Sequence, residues 1–465
     1  MGITRAMVVV RRLSAPVLRI RGLHMPVLRL LVRRVLVWRV LMRRALVRRL
    51  LVRRLLVRRV LVRRALVRRL LVRRVLVRRV LVRRVLRLGG LAGLLGLVVG
   101  CAEPAEERSA AQGAAESTGL RLLGGEAGDG FARATEPRPF VFPRDHGVHA
   151  DFRTEWWYFT GNLAASDGRH FGFELTFFRY ALAPPEAAAE DASAWRANQI
   201  WMAHFAITDT EGRRFHARER ITREALGLAG ATPEPLRIWV EDWSATGRGR
   251  GDELTVQLAA RDDDIGLSLG MTATVPHVAQ GDRGLDAKGP ASGNASHYYS
   301  VPRLAAEGTL TVRDERFAVT GSAWLDREWS TSSLDPGIEG WDWFALHLSD
   351  GSSLMFYRLR TAGGESSPFS KGSWVRADGS RIALSADDVM LSVLDDWTSD
   401  ATGVRYPVAW RMSVPKMDLT LEVRPYLESQ ELNLTVRYWE GAVRVAGRGP
   451  EGPLSGQGYL ELAGY

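Results

Sequence analysis

The chain states one pattern twice, and that repetition limits the folds open to it more than any other feature. Gly340-Trp-Asp-Trp-Phe-Ala-Leu-His-Leu-Ser-Asp-Gly351 echoes Glu155-Trp-Trp-Tyr-Phe-Thr-Gly-Asn-Leu163 with its Asp167-Gly168 turn. Leu354–Arg360 then echoes Phe171–Arg179, and Glu307–Val312 matches Glu440–Val445. Gly321-Ser-Ala-Trp-Leu-Asp-Arg-Glu-Trp-Ser330 returns as Gly456–Tyr465, with Trp324 on Tyr459 and Asp326 on Glu461. The offset is 185 at the start and 133 to 135 at the end, so the second copy is about 50 residues shorter in its middle. Ordered matches of this kind mark an internal duplication. Two like units then pack together and leave a cleft between them, or a lumen in each, for a ligand.

The repeated stretches read as strands. Glu155–Leu163 and Phe171–Tyr180 flank a Ser-Asp-Gly-Arg turn and form an antiparallel hairpin. Further strands are expected at Ile200–Thr208, Arg213–Thr222, Leu236–Ala245, Glu253–Ala260, Gly266–Ala273, Gly308–Val312 and Ala318–Glu328. Only Pro185–Ala197 suggests a helix or loop insertion. Many short strands in sequence specify an all-β meander, closed into barrels or sandwiches. The expected domains are 138–330 and 331–465.

The overall charge of +12 comes from the N-terminus. Residues 1–100 hold 28 of the 64 basic side chains and no acid, so the remainder carries 36 basic against 52 acidic residues, a net of −16. An acidic body excludes the nucleic-acid reading that the total suggests. Residues 1–87 are largely a Leu-Val-Arg-Arg-Val repeat. Five residues advance a helix by about 500°, so no apolar stripe forms. An odd period also alternates faces on a strand. We read this segment as low-complexity sequence outside the fold, such as an expansion or an early start. Residues 88–101 follow arginines with a short apolar run too brief to span a bilayer. They end in Leu97-Val-Val-Gly-Cys101, which is similar to a bacterial lipoprotein signal with Cys101 as the acylated residue. The expectation is export and a lipid anchor in the envelope, with Ala102 favouring an outer membrane facing the periplasm. One cysteine permits no internal disulfide. Residues 102–137, rich in Ala, Gly and Glu, read as a flexible tether.

Chemistry concentrates in Gly321–Ser330. On a strand Trp324, Asp326 and Glu328 share one face, and Leu325, Arg327 and Trp329 the other. Asp326 and Glu328 then lie about 6.5–7 Å apart. A carboxyl among aromatic rings has a raised pKa and can donate a proton near neutrality. A salt bridge from either acid to Arg327 is the structural alternative. Tyr298 or Tyr299 and Trp324 offer ring faces to positive charge. Glu155, Trp157, His204, Trp329 and Trp343 are candidates for contact with a ligand. Glu155 could equally pair with Arg153 or Arg179, and His204 could be a satisfied core histidine. His146 and His149 lie near Asp145 and Asp151, but no zinc or nucleotide motif accompanies them, so no metal and no cofactor is expected. The strongest serine-hydrolase signature, Gly-x-Ser-x-Gly, is missing.

Phe142-Pro-Arg-Asp-His146, Phe152-Arg-Thr-Glu-Trp-Trp-Tyr-Phe-Thr-Gly-Asn-Leu163, Gly281-Asp-Arg-Gly284, Gly293-Asn-Ala-Ser296, Ala323-Trp-Leu-Asp-Arg-Glu-Trp-Ser-Thr331 and Tyr459-Leu-Glu-Leu-Ala-Gly-Tyr465 together resemble the AttH-like and carotenoid 1,2-hydratase (hydroxyneurosporene synthase) family. The resemblance spans roughly Phe140 to Tyr465. It implies two tandem lipocalin-like (allene-oxide-cyclase-like) barrels and cofactor-free, acid-catalysed addition of water to an isoprenoid double bond. By motif position it implies catalytic roles for Asp326, Trp324, His297 and Tyr299, with Glu328 beside them. The chain departs from the hydratases in having Asp-Arg-Glu-Trp after Leu325 and Tyr at 299 in place of Trp. Those differences bear on the substrate more than on the fold.

The expected function is therefore an exported lipoprotein that binds, and on the enzyme reading hydrates, an apolar small molecule. A lipocalin-like carrier or sensor is the second reading, and a glycan hydrolase using Asp326 and Glu328 the third. Nothing in the sequence names a protein partner.

Overall fold

The computed structural model describes residues 130–185, 198–249, 253–313, 315–331 and 334–465. The Leu-Val-Arg-Arg repeats, the signal-like run, Cys101 and most of the Pro185–Ala197 insertion lie outside the described residues. Among the described residues the chain is all-β, broken only by short 3-10 turns.

Nine strands build what matters below: β1 (Thr154–Ala165), β2 (His170–Ala181), β3 (Gln199–Asp209), β4 (Ala295–Val312), β5 (Glu315–Ser330), β6 (Ile338–Leu348), β7 (Ser353–Thr361), β8 (Arg437–Gly449) and β9 (Gly452–Ala463). They belong to two curled antiparallel sheets of lipocalin-like form, of thirteen and ten strands. Both sheets have the same plan. The opening hairpin occupies the middle, and its first strand pairs with the last strand of its own half: β1 with β5, and β6 with β9. Tyr158 lies opposite Asp326, and Trp343 opposite Glu461. The register thus reproduces the sequence echo at both positions.

One echo fails in register. Glu307 does not correspond to Glu440. Ser300 faces Asp326 across β4–β5, and Glu440 faces Glu461 across β8–β9. Glu440 therefore occupies the place of Ser300. The Glu-Gly pair recurs by coincidence of strand composition. A bulge between Val301 and Leu304 further offsets the first copy. The strand expected at Leu236–Ala245 is also two strands, Leu236–Val240 and Trp243–Arg248, turned at Glu241 with φ 58°.

Alternation explains the cores. Trp157, Phe159, Leu175, Phe177, Leu325 and Trp329 point into the first barrel, and Phe344, Leu346, Phe356, Trp410, Leu460 and Leu462 into the second. Each fully buried side chain of this size contributes about 1.5–3 kcal/mol. The opposite strand faces are not left to water, because they pack on one another. Tyr158, Tyr298, Trp324, Trp343, Tyr357 and Tyr459 form a shared aromatic layer. Where the contact residues are small, the sheets touch. A Cβ on Gly172 would lie 2.5 Å from the Cβ of Ala442, and Asn162 donates to the Gly458 carbonyl at 2.9 Å. Where the residues are bulky, the sheets splay and leave a cavity. Residues 130–137, assigned to the tether by composition, run along the first half: Ala134 is fully buried and the Ala132 amide donates to the Asp151 carbonyl.

Candidate active site

The cavity between the halves has an empty volume of about 990 Å³, counting its open mouth. Thr154, Trp156 and Tyr158 of β1, Phe178 of β2, Tyr298 of β4, and Asp326, Glu328 and Ser330 of β5 line one wall. Trp341 and Trp343 of β6, Tyr357 and Leu359 of β7, Tyr438 of β8 and Glu461 of β9 line the other. Lys288 and Leu334 close the edge. Half of the lining residues are aromatic, with a few carboxyls placed among the rings.

Asp326 is 3% exposed. Its Oδ1 accepts from the Ser300 hydroxyl at 2.5 Å and the Trp324 indole at 2.7 Å, and its Oδ2 accepts from the Tyr298 hydroxyl at 2.5 Å. Burial pushes this carboxyl up to about 7, against the three donors, which favour the anion, and with help from nearby Glu328. The Trp343 indole approaches the Tyr298 oxygen at 3.4 Å. Trp324 packs behind Asp326, edge-on to Trp343.

Glu328 shares the wall but is engaged. Lys288 Nζ lies 3.2 Å from it and 2.6 Å from Asp286. Asp286 also accepts from the Tyr357 hydroxyl. Burial raises Glu328, and Lys288 opposes the shift. Burial would neutralise Lys288, but Asp286 and Glu328 outweigh it and hold the ammonium charged.

Strand parity separates the other sequence candidates from this wall. His297 and Tyr299 lie opposite Trp329 and Arg327 in the β4–β5 register, on the face away from Asp326. The residue that meets Asp326 is Tyr298. Tyr299 bonds His146 at 2.6 Å inside the first barrel, and burial drives His146 down to about 3. Glu155, Trp157 and Trp329 also point inward. Glu155 binds Arg179 and Arg327, both fully buried, and does not bind Arg153. The salt-bridge alternative for Arg327 thus involves Glu155 and neither Asp326 nor Glu328. Trp157 donates to the His146 carbonyl at 2.8 Å, and Trp329 stacks on His149 at 3.7 Å. His204 lies near the cavity without lining it. Its Nδ1 meets the Tyr438 hydroxyl at 2.7 Å and its Nε2 meets Glu219 at 3.3 Å. Of the candidates, Asp326, Glu328 and Trp343 line the cavity, with Trp324 immediately behind.

The sequence reading did not select Ser300, Lys288, Tyr158, Trp341, Tyr357, Tyr438 or Glu461 for the site. Glu461 carried a signal, its correspondence with Asp326. Lys288 and Tyr357 carried none, because they arrive from a loop and from the other half. Among the described residues no group of three or more His, Cys, Asp or Glu side chains could hold a metal ion.

A family model described as AttH-like matches residues 133–465. The chain belongs to the AttH-like family. A protein of known crystal structure from Nitrosomonas europaea, described as a putative AttH, is 31% identical, with a TM-score of 0.63 over 72% of this chain and 100% of that one. Kievitone hydratase from Nectria haematococca shares the fold at 16% identity, with a TM-score of 0.55 over 72% and 98% of the two chains. Among curated proteins the AttH-like chain is similar to the dehydratase asqC of Emericella nidulans, 26% identical over 203 residues. That match covers 40% of this chain and 56% of the relative, so the chain spans little more than half the length of the curated protein it matches.

Proposed function

We propose that this AttH-like protein adds or removes water on an apolar small molecule held between its two barrels, with Asp326 exchanging the proton. The observation that carries the reading is the Asp326 carboxyl, buried in an aromatic cleft and shifted to about 7, where it can both give and take a proton at neutral pH. The similarity to a protein named as a dehydratase agrees with water chemistry. The aromatic walls suit an isoprenoid or other lipid-like guest, of which a carotenoid is one case. A glycan-cleaving pair is less well supported, since Glu328 is held by Lys288.

The test is oxygen exchange. Linalool, an isoprenoid tertiary alcohol, incubated with the protein in heavy-oxygen water takes up label if water leaves and returns. Asp326→Asn should lower that exchange by about 10²–10⁴ while leaving linalool binding in place. Full exchange by Asp326→Asn would remove the reading. The carrier alternative is favoured by the fact that all Asp326 oxygens are already engaged by donors. It predicts binding without exchange in the wild type. We further propose export and acylation at Cys101. Mass spectrometry of the mature N-terminal peptide tests this, and a mature chain retaining the Leu-Val-Arg-Arg repeats would refute it.

A further inference from the structure

Hydration moves two protons: one is handed to carbon and another leaves the attacking water, and two carboxyls can share these transfers. Asp326 accepts from three donors on its two oxygens, contacts that favour its anion against the burial that raises it. The second copy places another carboxyl on the same cavity. Glu461 stands at the position of Asp326 in its own half, opposite Trp343 as Asp326 is opposite Tyr158, and faces the same cavity from the other wall.

Its surroundings hold fewer donors than those of Asp326 and more acids. One oxygen accepts from the Trp341 indole at 3.0 Å, and among the described residues the other makes no hydrogen bond. Part of its surface stays open, and that surface lies on the cavity. Where Asp326 has the Ser300 hydroxyl across the strand pair, Glu461 has another carboxyl, Glu440, whose Oε1 is bonded by Tyr158 at 2.5 Å and whose Oε2 is buried with no partner. Glu174 of β2 also lies within electrostatic reach, as do Asp326 and Glu328 of β5. Tyr438 of β8 is bonded to Glu174 at 3.0 Å. Lys288 pairs with Glu328 and His204 acts on Glu174, while the charged groups that shift Glu461 itself are acids. Burial and the neighbouring Glu174 push it up to about 8, with Trp341 opposing.

We propose that Glu461 is the second acid–base carboxyl of the cleft, presenting a proton to the guest from the wall opposite Asp326. The inference rests on the water chemistry proposed above. In hydration the Glu461 O–H bond breaks and its proton joins one alkene carbon, bonded by the π electron pair. The oxygen of water bonds the other carbon, and a proton of that water passes to the Asp326 carboxylate. The product is the alcohol, with Glu461 ionised and Asp326 protonated. One proton exchanged through solvent restores the starting state. Dehydration is the same path reversed.

The experiment uses the full chain, Glu461→Gln and Asp326→Asn, with linalool as probe. Exchange of heavy oxygen by Glu461→Gln should fall about 10²–10⁴-fold, with binding changed by less than about threefold. In parallel, infrared spectra of protein carrying carbon-13 glutamate should show a protonated-carboxyl stretch at neutral pH. One component of that stretch, the Glu461 component, should be absent from Glu461→Gln and shifted in the wild type when linalool binds. Exchange by Glu461→Gln at the wild-type rate, with Asp326→Asn inactive, would overturn the inference and leave the function standing. If Asp326→Asn keeps its exchange, or the wild type shows none, the function falls instead. The infrared arm then decides alone, and a Glu461 that is ionised at neutral pH or unmoved by linalool overturns its part.

Discussion

Asp326 and Glu461 occupy the same place in the two halves, yet the protein treats them differently. Backbone register gives both the same address, opposite an aromatic residue on the opening strand and facing the cleft. What separates them is the residue across the last strand pair: a serine hydroxyl in one half, a second glutamate in the other. A donor stabilises the anion and an acid penalises it. The shared register sets the positions, and a few neighbouring side chains give each carboxyl its own surroundings. The barrel interiors differ in the same way. The first half holds two buried arginines on Glu155. The second has Gly340 at that position and uses Asp342 to bind Arg358 at 2.6 Å and Arg360 at 3.2 Å.

The contrast can be broken most forcefully at Glu155. Glu155→Gln leaves Arg179 and Arg327 buried without their anion and should cost about 3–5 kcal/mol of stability, read by chemical denaturation. A loss below about 1 kcal/mol would mean the arginines find other partners. The matching position in the second half resists a side chain for a steric reason. A Cβ on Gly340 would run into the Ala463 carbonyl and the Arg360 guanidinium. Gly340→Ala should cost about 1–3 kcal/mol, measured the same way. Tyr298→Phe removes one of the three donors from Asp326. Its stability cost should be about 0.5–1.5 kcal/mol, and the Asp326 midpoint should move up, as followed by carboxyl NMR. A further expected effect is a slope of stability with pH. Glu461 keeps its proton in the folded protein to about 8 but releases it near 4.5 when unfolded. As pH rises between those values the unfolded chain loses the proton first, so the wild type loses stability. Glu461→Gln lacks this term, so its melting temperature should gain on the wild type across that window. Parallel curves would place Glu461 at an ordinary carboxylate pKa.

Much of this architecture was legible in the chain. Alternation put Trp324, Asp326 and Glu328 on one face and Arg327 and Trp329 on the other, and the register bears this out. The echo of Asp326 in Glu461 survived as a shared position. Other parts were not legible, for identifiable reasons. A motif quotes His297 and Tyr299, but a one-residue parity decides which neighbour meets Asp326, and that is Tyr298. A recurring Glu-Gly pair matched Glu307 to Glu440, although a bulge and strand register place Glu440 with Ser300. Lys288, Tyr357 and Trp341 reach the cleft from a loop or from the opposite half, contacts that no local pattern encodes.

The account depends on one carboxyl whose proton affinity is set by burial among rings. Carbon-13 NMR titration of labelled aspartates, with Asp326→Asn assigning the signal, measures it directly. The predicted midpoint is about 7. A midpoint near the ordinary aspartate value of 3.8 would contradict the account.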